Sequence, residues 1–434
     1  MINIAASSIS DVKAGSLDLR RSGEIARRSR LVLRLAALME LAGEAYASLM
    51  TDEMGKTIRG SRAEIAKSAA TARYFAGAAP GMLASETIPS HGGAFRIRYE
   101  PLGTVLGVMP WNFPFWQVLR FAIPALLAGN RVVVKHSSRV PRCAAALDEL
   151  FREAGFSEDL ISVESGPHHL VAKHIQNDHV RAVVFTGGRA AGSEVATLAG
   201  RHIKKVVLEL GGSDAFIVLP SADLDRAVTE GVRSRIHCNG QACTAAKRFI
   251  VHESIASAFT SRFVSAMASL RAGDPFDDRT DLGPLAGEDV AVRLEAQVAA
   301  SIDAGARLLT GGHRLGGTLY APTVLAGMPF DAPAAQEETF GPVAAILRAK
   351  DVDEAVAIAN ATPFGLGASI WTADATEAER CIEELETGQV FVNGIVSSDP
   401  RVPFGGVKGS GYGRELGIHG IRELTNIKCV WIAD

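Results

Sequence analysis

Short apolar, β-branched segments alternate with helical segments from Pro101 to near the C-terminus, and this alternation constrains the fold most. Parallel strands that are buried on both faces and joined by helices produce such a pattern, so the sequence predicts an α/β protein with a doubly wound sheet. A second set of alternating segments begins after Gly212, which indicates a domain border near Ser213. The predicted strands are 105–109, 131–135, 161–163, 182–185 and 205–210, then 215–219, 249–252, 343–347, 368–371 and 389–393.

The region before this alternation has a different character. Apolar residues at helical spacing predict one long helix over 24–54, stopped by Gly55, and a second helix over 59–83. We interpret the charged residues of the second helix as a solvated face. Alternating residues over 87–99 predict either a two-faced strand or a hairpin, projecting from the body. The charged residues of the second helix are Arg62, Glu64, Lys67 and Arg73.

Composition excludes several classes of function. The 434 residues are 47% hydrophobic and 21% charged with a net charge of −3, which is typical of a globular enzyme and favours neither a nucleic-acid nor a membrane partner. No apolar run approaches the roughly 18 residues of a membrane span. The start lacks the features of a signal peptide. Five cysteines at wide spacing give no disulfide framework and no metal-binding pattern, so we expect a cytoplasmic protein without a metal.

Distinctive polar or glycine-containing tails follow the predicted strands of the first set. Ligands of doubly wound sheets bind at the carboxyl ends of strands, so these tails are candidate binding segments. The glycine-rich dinucleotide fingerprint is absent after every predicted strand. The segment 186–192 could form a phosphate site at a helix start, but taken alone it favours an ordinary glycine turn. The tails begin at Pro110, Lys135, Thr186 and Glu209.

Cys243 lies behind a small, polar Asn-Gly-Gln-Ala run and before a strand-like segment. Small neighbours let backbone N–H groups approach the sulfur, which a thiolate nucleophile needs because an oxyanion beside it requires donors. The alternative is a buried structural cysteine. The stretch by itself leaves both interpretations open.

Six motifs, taken together, resemble the aldehyde dehydrogenase superfamily in order and approximate spacing. Within it, the segments 111–120, 243–249 and 398–401 are most similar to the shorter succinate-semialdehyde dehydrogenases. The resemblance runs from about Ala36 to the C-terminus. The motifs are Pro-Trp-Asn-Phe-Pro at 110–114, Phe-Thr-Gly at 185–187, Leu-Glu-Leu-Gly-Gly at 208–212, Gly-Gln-Ala-Cys at 240–243, Glu-Thr-Phe-Gly-Pro at 338–342 and Pro-Phe-Gly-Gly-Val-Lys at 403–408.

This resemblance implies NAD(P)-dependent oxidation of an aldehyde to a carboxylate. The Cys243 thiolate would attack the aldehyde, the Asn112 amide and the Cys243 N–H would hold the oxyanion, and Glu209 would activate the water that hydrolyses the thioester. Glu338 would bind the nicotinamide ribose, Phe340 would pack beside the nicotinamide and Lys135 would bind the adenosine ribose. The implied cofactor-binding residues are Trp111, Lys135, Ser138, Thr186, Gly187, Gly188, Glu338 and Phe340.

The resemblance also implies a substrate and a cofactor preference. Arg120, eight residues after Asn112, would bind the carboxylate of succinate semialdehyde, with Ser398 assisting and with Arg235 and His237 as weaker candidates. NAD-preferring relatives carry a glutamate where this chain has Ser138. The uncharged serine does not repel a 2′-phosphate, so we expect NADP+ to be accepted, with preference over NAD+. Positive potential from Lys135, and from His136 or Arg139, would assist.

The implied organisation has three parts and a homodimeric or homotetrameric assembly. Residues 1–86 and 101–212 would form the cofactor-binding domain, 213–413 the catalytic domain, and 87–100 with 414–434 a small β oligomerisation element. The chain departs from the family pattern in three ways. The usual N-terminal strands are missing, Cys238 replaces an asparagine, and Gly188-Arg189 replaces a commoner Ser-Thr or Ser-Glu pair. We favour Cys238 as a small buried residue over a disulfide partner of Cys243.

Three alternatives remain open from the sequence, and a fourth is disfavoured. The protein would be a dehydrogenase for another small aldehyde, a cofactor-free thiol hydrolase using Cys243 and Glu209, or an N-terminally truncated, non-catalytic binding protein. A CoA-acylating dehydrogenase is disfavoured because such enzymes generally lack the deacylating glutamate, which is present here as Glu209.

Overall fold

A computed structural model of the protein describes residues 7–434, with side chains from Arg21 onward. Fourteen α-helices lie in the described part of the chain. They are α1 (Ser7–Leu41), α2 (Gly43–Met54), α3 (Ile58–Met82), α4 (Trp116–Leu127), α5 (Pro141–Glu153), α6 (His169–Gln176), α7 (Arg189–Arg201), α8 (Leu224–Arg235), α9 (Glu253–Ala268), α10 (Glu288–Asp303), α11 (Pro333–Gln336), α12 (Val352–Asn360), α13 (Ala375–Glu384) and α14 (Gly417–Glu423).

Eighteen strands within the described residues form three sheets of three or more strands and one small hairpin. The strands are β1 (Glu86–Ser90), β2 (Gly93–Pro101), β3 (Thr104–Met109), β4 (Arg131–His136), β5 (Ile161–Ser165), β6 (Val180–Thr186), β7 (Lys205–Glu209), β8 (Asp214–Val218), β9 (Ala246–His252), β10 (Arg307–Thr310), β11 (Arg314–Gly316), β12 (Leu319–Tyr320), β13 (Thr323–Ala326), β14 (Val343–Ala349), β15 (Gly367–Trp371), β16 (Gln389–Val392), β17 (Gly411–Tyr412) and β18 (Thr425–Ala433).

The first large sheet has the order β17-β7-β6-β3-β4-β5, and its strands β3 to β7 are parallel. Helices follow these strands along the chain, and buried valines such as Val132 and Val134 form the core below them. The predicted doubly wound α/β sheet is therefore confirmed. The short strand β17 pairs antiparallel with β7, so it belongs to this sheet although the predicted border at 413 places it with the catalytic domain.

The second large sheet has the order β10-β13-β14-β9-β8-β15-β16 and is parallel except for its edge strand β10. A buried aromatic cluster packs on one face, where Phe216 lies against Phe249 and Trp371. Both neighbours of β8 run parallel to it, so β8 and β9 end on the same side of the sheet. The loop that carries Cys243 lies immediately before β9, between the adjacent strands β8 and β9 of this sheet in sequence.

The third sheet is antiparallel, with the order β1-β2-β18. The last strand, β18, pairs with all nine residues of β2, and the exposed rings of Phe95 and Trp431 pack together on it, 4.6 Å apart. The predicted hairpin over 87–99 is confirmed as β1 and β2. Ile88 and Ile427 are exposed as well. Monomeric proteins rarely expose this many large apolar side chains on one sheet.

The N-terminal helices differ from the prediction in one respect. The predicted single helix over 24–54 is divided, because α1 ends at Leu41 and α2 begins at Gly43, a residue with low helix propensity. Gly55 ends α2 with φ of 75°, the left-handed conformation expected of a glycine stop. No helix among the described residues is long and apolar enough to cross a membrane.

Candidate active site

The carboxyl ends of three neighbouring strands bring three predicted site residues together. Asn112 follows β3, Thr186 ends β6 and Glu209 ends β7, and these strands are adjacent in the first sheet. Cys243 reaches the same place from the loop before β9. All four residues line one cavity of about 250 Å³, to which we refer as the cofactor-side cavity.

The loop before Cys243 is tightly held. Asn239 has φ of 57°, a left-handed conformation that asparagine tolerates, and its Nδ2 donates to the carbonyl oxygens of Gly55 at 2.7 Å and Pro284 at 3.0 Å. Gly240 has φ of 77°, and a Cβ there would lie 2.3 Å from the carbonyl of Gly341. Small residues are therefore required for the loop to pass this close to its neighbours.

Two donors are available beside the sulfur of Cys243. The Asn112 Nδ2 donates to the carbonyl of Gln241 at 2.9 Å, which fixes the amide against the loop and leaves its second N–H free. The backbone N–H of Cys243 makes no hydrogen bond with the described residues. The pair forms a suitable oxyanion site. Cys238 is a free, buried cysteine whose Sγ donates to the carbonyl of Asn112 at 3.1 Å, so its contact supports this site.

A buried cation lies directly behind the nucleophile. Lys247 is fully buried, and its Nζ donates to the carbonyl of Ala242 at 2.9 Å and to the carbonyl of Cys243. Burial raises the pKa of the Cys243 thiol to about 12, and the Lys247 ammonium is the largest influence that opposes this rise. The Lys247 charge therefore favours the thiolate in a cavity that otherwise disfavours it.

Glu209 is a buried carboxyl group without a fixed partner. Neither side-chain oxygen accepts a hydrogen bond from any described residue. Burial, and then the neighbouring Glu415, raise the pKa of Glu209 well above its ordinary value, whereas Arg120 and Arg414 oppose the rise. A carboxylate with a raised pKa is a stronger base than an ordinary carboxylate, which suits Glu209 to general-base catalysis.

The cofactor-side cavity fits a dinucleotide. The buried Oγ1 of Thr186 has no hydrogen-bond partner among the described residues, and Gly188 opens onto free space at the start of the 13-residue helix α7. A phosphate fits there, because the first N–H groups of a helix lack internal partners. Phe340 meets Trp111 edge to face at 5.7 Å, and Glu338 and Gly187 also line the cavity.

Two predicted ribose ligands lie on β4 and its tail, outside the lining of this cavity. Lys135 is buried next to Glu164 of β5, and burial lowers its pKa, whereas Ser138 is exposed. The expected charge on His136 is wrong, because burial lowers the pKa of this histidine to about 4 and leaves the ring neutral near pH 7.

The guanidinium of Arg139 already has a carboxylate partner. Its guanidinium binds Asp289 of α10 at 2.8 and 2.9 Å, and it lies over the ring of Trp111. This ion pair joins the tail of β4 to α10 beside the cofactor-side cavity. The contribution expected of Arg139 to a 2′-phosphate site is therefore reduced by the Asp289 carboxylate.

A second cavity of about 320 Å³ meets the first at Cys243, and we call it the substrate-side cavity. Among its lining residues, only Gln117 and Cys243 also line the cofactor-side cavity. Three of the predicted substrate ligands lie here. The residues that matter below are Lys67, Trp116, Arg120, Arg233, His237 and Ser398.

The predicted substrate ligands differ in their surroundings. Arg120 forms a buried ion pair with Glu415, so its charge is already compensated. His237 packs against the ring of Phe113 with centroids 5.3 Å apart. Arg235 lies outside the lining of the substrate-side cavity, because its guanidinium donates to the carbonyl of Gly240 at 2.7 Å. Arg235 therefore lines neither cavity, and its role as a substrate ligand stays a prediction.

The interpretation of α3 as carrying a solvated charged face is wrong for two of its residues. Arg62 and Arg73 are exposed, but Glu64 is only 4% exposed. Its carboxylate accepts from the N–H groups of Phe115 and Trp116, both at 2.9 Å, and so caps the start of α4.

Lys67, one turn further along α3, enters the substrate-side cavity. Lys67, Lys247 and Gln117 are the site residues that sequence reasoning missed, and only the Cys-Thr-Ala-Ala-Lys motif contained a signal for one of them.

These features define a thiol-dependent dehydrogenase site, and the chain belongs to the aldehyde dehydrogenase family. The sequence profile of that family, described as the Aldehyde dehydrogenase family, matches residues 15–430. The fold and the order of the motifs agree with this assignment.

Three similar proteins have more specific names. The chain is 48% identical to succinate-semialdehyde dehydrogenase (NADP+) 1 of Mycobacterium bovis (strain BCG / Pasteur 1173P2), covering 95% of this chain and 92% of that protein. It is 49% identical to succinate-semialdehyde dehydrogenase (NADP+) of Mycolicibacterium paratuberculosis (strain ATCC BAA-968 / K-10), covering 96% and 90%. The crystal structure of succinic semialdehyde dehydrogenase from Streptococcus pyogenes with NADP+ as the cofactor is 33% identical and superimposes with a TM-score of 0.93, covering 100% of this chain and 97% of that one.

Proposed function

We propose that this aldehyde dehydrogenase oxidises succinate semialdehyde to succinate with NADP+ as the preferred cofactor. The observation that carries the proposal is the meeting of two cavities at Cys243. One fits a dinucleotide, and the other is lined by basic side chains suited to a carboxylate. The names of the similar proteins support the same substrate and cofactor.

The first step is attack of the Cys243 sulfur on the aldehyde carbon, which forms a C–S bond and breaks the carbonyl π bond. The thiol proton passes to solvent, and the carbonyl electrons move to the oxygen. The Asn112 amide and the Cys243 N–H stabilise that oxyanion. The product of this step is a thiohemiacetal on Cys243.

The second half of the reaction releases the acid. When bound, NADP+ would supply the two-electron acceptor for the hydride that the thiohemiacetal carbon loses, so that a thioester is left on Cys243. Glu209 then removes a proton from water, the resulting hydroxide attacks the thioester carbon, and the Cys243 thiolate leaves. The Glu209 carboxylate has no hydrogen-bond partner among the described residues, which leaves it free to accept from this water.

The cofactor assignments extend from the same site. Thr186, Gly187 and Gly188 would bind the pyrophosphate near the start of α7, and Glu338 would bind the nicotinamide ribose beside Phe340 and Trp111. Lys135 and Ser138 would bind the adenosine ribose from the tail of β4. The absence of a carboxylate at Ser138 supports NADP+ over NAD+, since no negative charge repels the 2′-phosphate there.

The assembly and the domains are part of the proposal. The exposed apolar face of the β1-β2-β18 sheet would be covered by another copy of the chain in a cytoplasmic homodimer or homotetramer. Residues 1–86 and 101–212 would bind the cofactor and 213–413 would carry the nucleophile, with the third sheet as the oligomerisation element.

Initial rates with NADP+ and NAD+ on a panel of aldehydes, with and without a terminal carboxylate, test the proposal. We expect the highest kcat/KM for succinate semialdehyde with NADP+. Release of acid from esters without any reduction of NADP+ or NAD+ would instead favour the thiol hydrolase. A folded protein that binds neither cofactor would favour the non-catalytic alternative.

A further inference from the structure

Lys67 is a half-buried lysine on the wall of the substrate-side cavity. Its Nζ donates to the Ser398 Oγ at 2.7 Å and lies 4.4 Å from the centre of the Trp116 ring. No carboxylate among the described residues forms an ion pair with it. An ammonium group partly removed from water therefore lacks the anion that would compensate its charge.

The other basic side chains of the cavity are already paired. Arg120 has its carboxylate in Glu415, and both residues are buried. Arg233 is paired with Glu230 at 3.2 Å, and its side chain is 70% exposed, so it lies at the water-filled edge. Lys67 is thus the one lysine or arginine lining this cavity, within the described part of the chain, whose charge has no anionic partner.

The contacts of Lys67 leave donors directed at a ligand. A lysine ammonium has three N–H donors, and the Ser398 hydroxyl takes one of them. Because Ser398 acts as the acceptor in that bond, its own O–H remains free to donate. Two neighbouring groups can therefore each donate to one oxygen of a carboxylate.

We infer that Lys67 is a specificity-determining residue whose ammonium binds the terminal carboxylate of the substrate, with the Ser398 hydroxyl as the second donor. This inference rests on the proposed function, and it replaces Arg120 as the principal carboxylate ligand. Cys243 lines the same cavity, so a short aldehyde can present its carbonyl to the thiol and its carboxylate to Lys67. The ligand class is a small aldehyde with an anionic group at its opposite end.

The charge balance around Lys67 supports this assignment. Burial, and then the nearby Arg120, lower the pKa of Lys67 to about 8, while Glu64, Asp399 and Cys243 oppose that shift. A bound carboxylate would favour the charged form, because an opposite charge within a few ångströms stabilises an ammonium.

The test compares Lys67→Met with the wild-type enzyme on succinate semialdehyde and on butanal, which has the same carbon chain without the carboxylate. We expect kcat/KM for succinate semialdehyde to fall about ten- to hundredfold, as for a lost hydrogen bond to a charged group, mainly through KM. Butanal should change by less than about twofold. Lys67→Arg should retain most of the preference. Arg62→Met, on the exposed side of the same helix, is the matched control and should match wild type on both substrates.

The outcomes distinguish failure of the Lys67 assignment from failure of the proposed function. If the wild-type enzyme prefers succinate semialdehyde and Lys67→Met keeps that preference, the role of Lys67 is refuted while the proposed function stands. Equal losses on both aldehydes in Lys67→Met would assign the residue a structural role and also refute the inference. A wild-type enzyme that oxidises both aldehydes equally would overturn the proposed substrate together with its carboxylate ligand.

Discussion

The Nζ of Lys247 lies 3.6 Å from a side-chain oxygen of Glu338 and also donates to the backbone carbonyl of Cys243. One buried cation thus contacts both the nucleophile's own residue and the proposed ribose ligand. Glu338 in turn accepts from the Gly212 N–H at 3.1 Å. Substitution of Lys247 should therefore change both the reactivity of the Cys243 thiol and the affinity for the cofactor.

Lys247→Met should slow alkylation of Cys243 by iodoacetamide at neutral pH by about tenfold or more, because loss of a nearby positive charge raises a thiol pKa by roughly one unit or more. NADP+ should also bind more weakly, since Glu338 loses its partner. The pH dependence of alkylation and the Kd by fluorescence titration measure the two effects. Lys247→Arg keeps the charge and should recover part of both, whereas unchanged alkylation in Lys247→Met would exclude this role.

Substitution of the two catalytic candidates should block different halves of the reaction. Cys243→Ala should abolish dehydrogenase turnover while NADP+ still binds. Glu209→Gln should allow formation of the thioester but not its hydrolysis, so a stopped-flow trace should show a burst of about one NADPH per site followed by a slow rate. Substantial steady-state turnover by Cys243→Ala would show that another group is the nucleophile.

The pH dependence of substrate selection follows from the charge on Lys67. Its ammonium form, with a pKa of about 8, is the form that attracts a carboxylate, so the charge is present below pH 8 and is lost as pH rises through that value. The ratio of kcat/KM for succinate semialdehyde to that for butanal should fall above about pH 8. Taking the ratio cancels titration of Cys243 and Glu209, which both substrates share. A flat ratio from pH 7 to 9.5 would contradict the assignment.

Arg120 and Glu415 form a buried ion pair, so Arg120→Ala should affect stability as well as catalysis. Removal of one partner leaves the other charge uncompensated, which costs about 3–5 kcal/mol of unfolding free energy. We expect a lower Tm and reduced activity on both succinate semialdehyde and butanal. Arg73→Ala, which breaks the solvent-exposed pair with Glu40, is the control and should leave the Tm almost unchanged. An Arg120→Ala protein with wild-type Tm and a loss confined to succinate semialdehyde would restore Arg120 as the carboxylate ligand.

Ser138→Glu should shift the cofactor preference toward NAD+. The added carboxylate would lie a few ångströms from the 2′-phosphate, and the repulsion costs on the order of 1–4 kcal/mol at intermediate dielectric. The ratio of kcat/KM for NADP+ to that for NAD+ measures this shift. Ser138→Gln removes the hydroxyl without adding charge and should change the ratio much less. A wild-type enzyme that strongly prefers NAD+ would refute the cofactor proposal outright.

The sequence predicted the parallel sheets because buried strands such as β4 have a local, apolar signature that only the strand environment explains. It also predicted Asn112, Glu209 and Cys243 as neighbours, since motif order and the strand ends carry that information. It did not predict the roles of Glu64 and Lys67. Both lie among ordinary helix charges, and only the tertiary packing of α3 against α4 decides which of these charges leave water.

The same dependence on tertiary packing explains why the sequence did not predict the ion pairs of Arg120 and Arg139. An arginine at a motif position looks free in the sequence, but its charge is available to a ligand only if no other carboxylate has reached it first. Glu415 and Asp289 come from segments more than 100 residues away along the chain, so their pairing with these arginines depends on the folded arrangement. Sequence spacing contains no information about that competition.

The shared boundary of the two cavities also bears on how the products depart. Because Gln117 and Cys243 are the only described residues that line both, the nucleotide and the aldehyde would approach the sulfur from different sides. Succinate would then leave without displacing NADPH, and NADPH would leave while the acyl group is still attached to Cys243. A compound that fills the substrate-side cavity would block access of the aldehyde to Cys243 without competing with the nucleotide. Selective inhibitors therefore need not resemble NADP+.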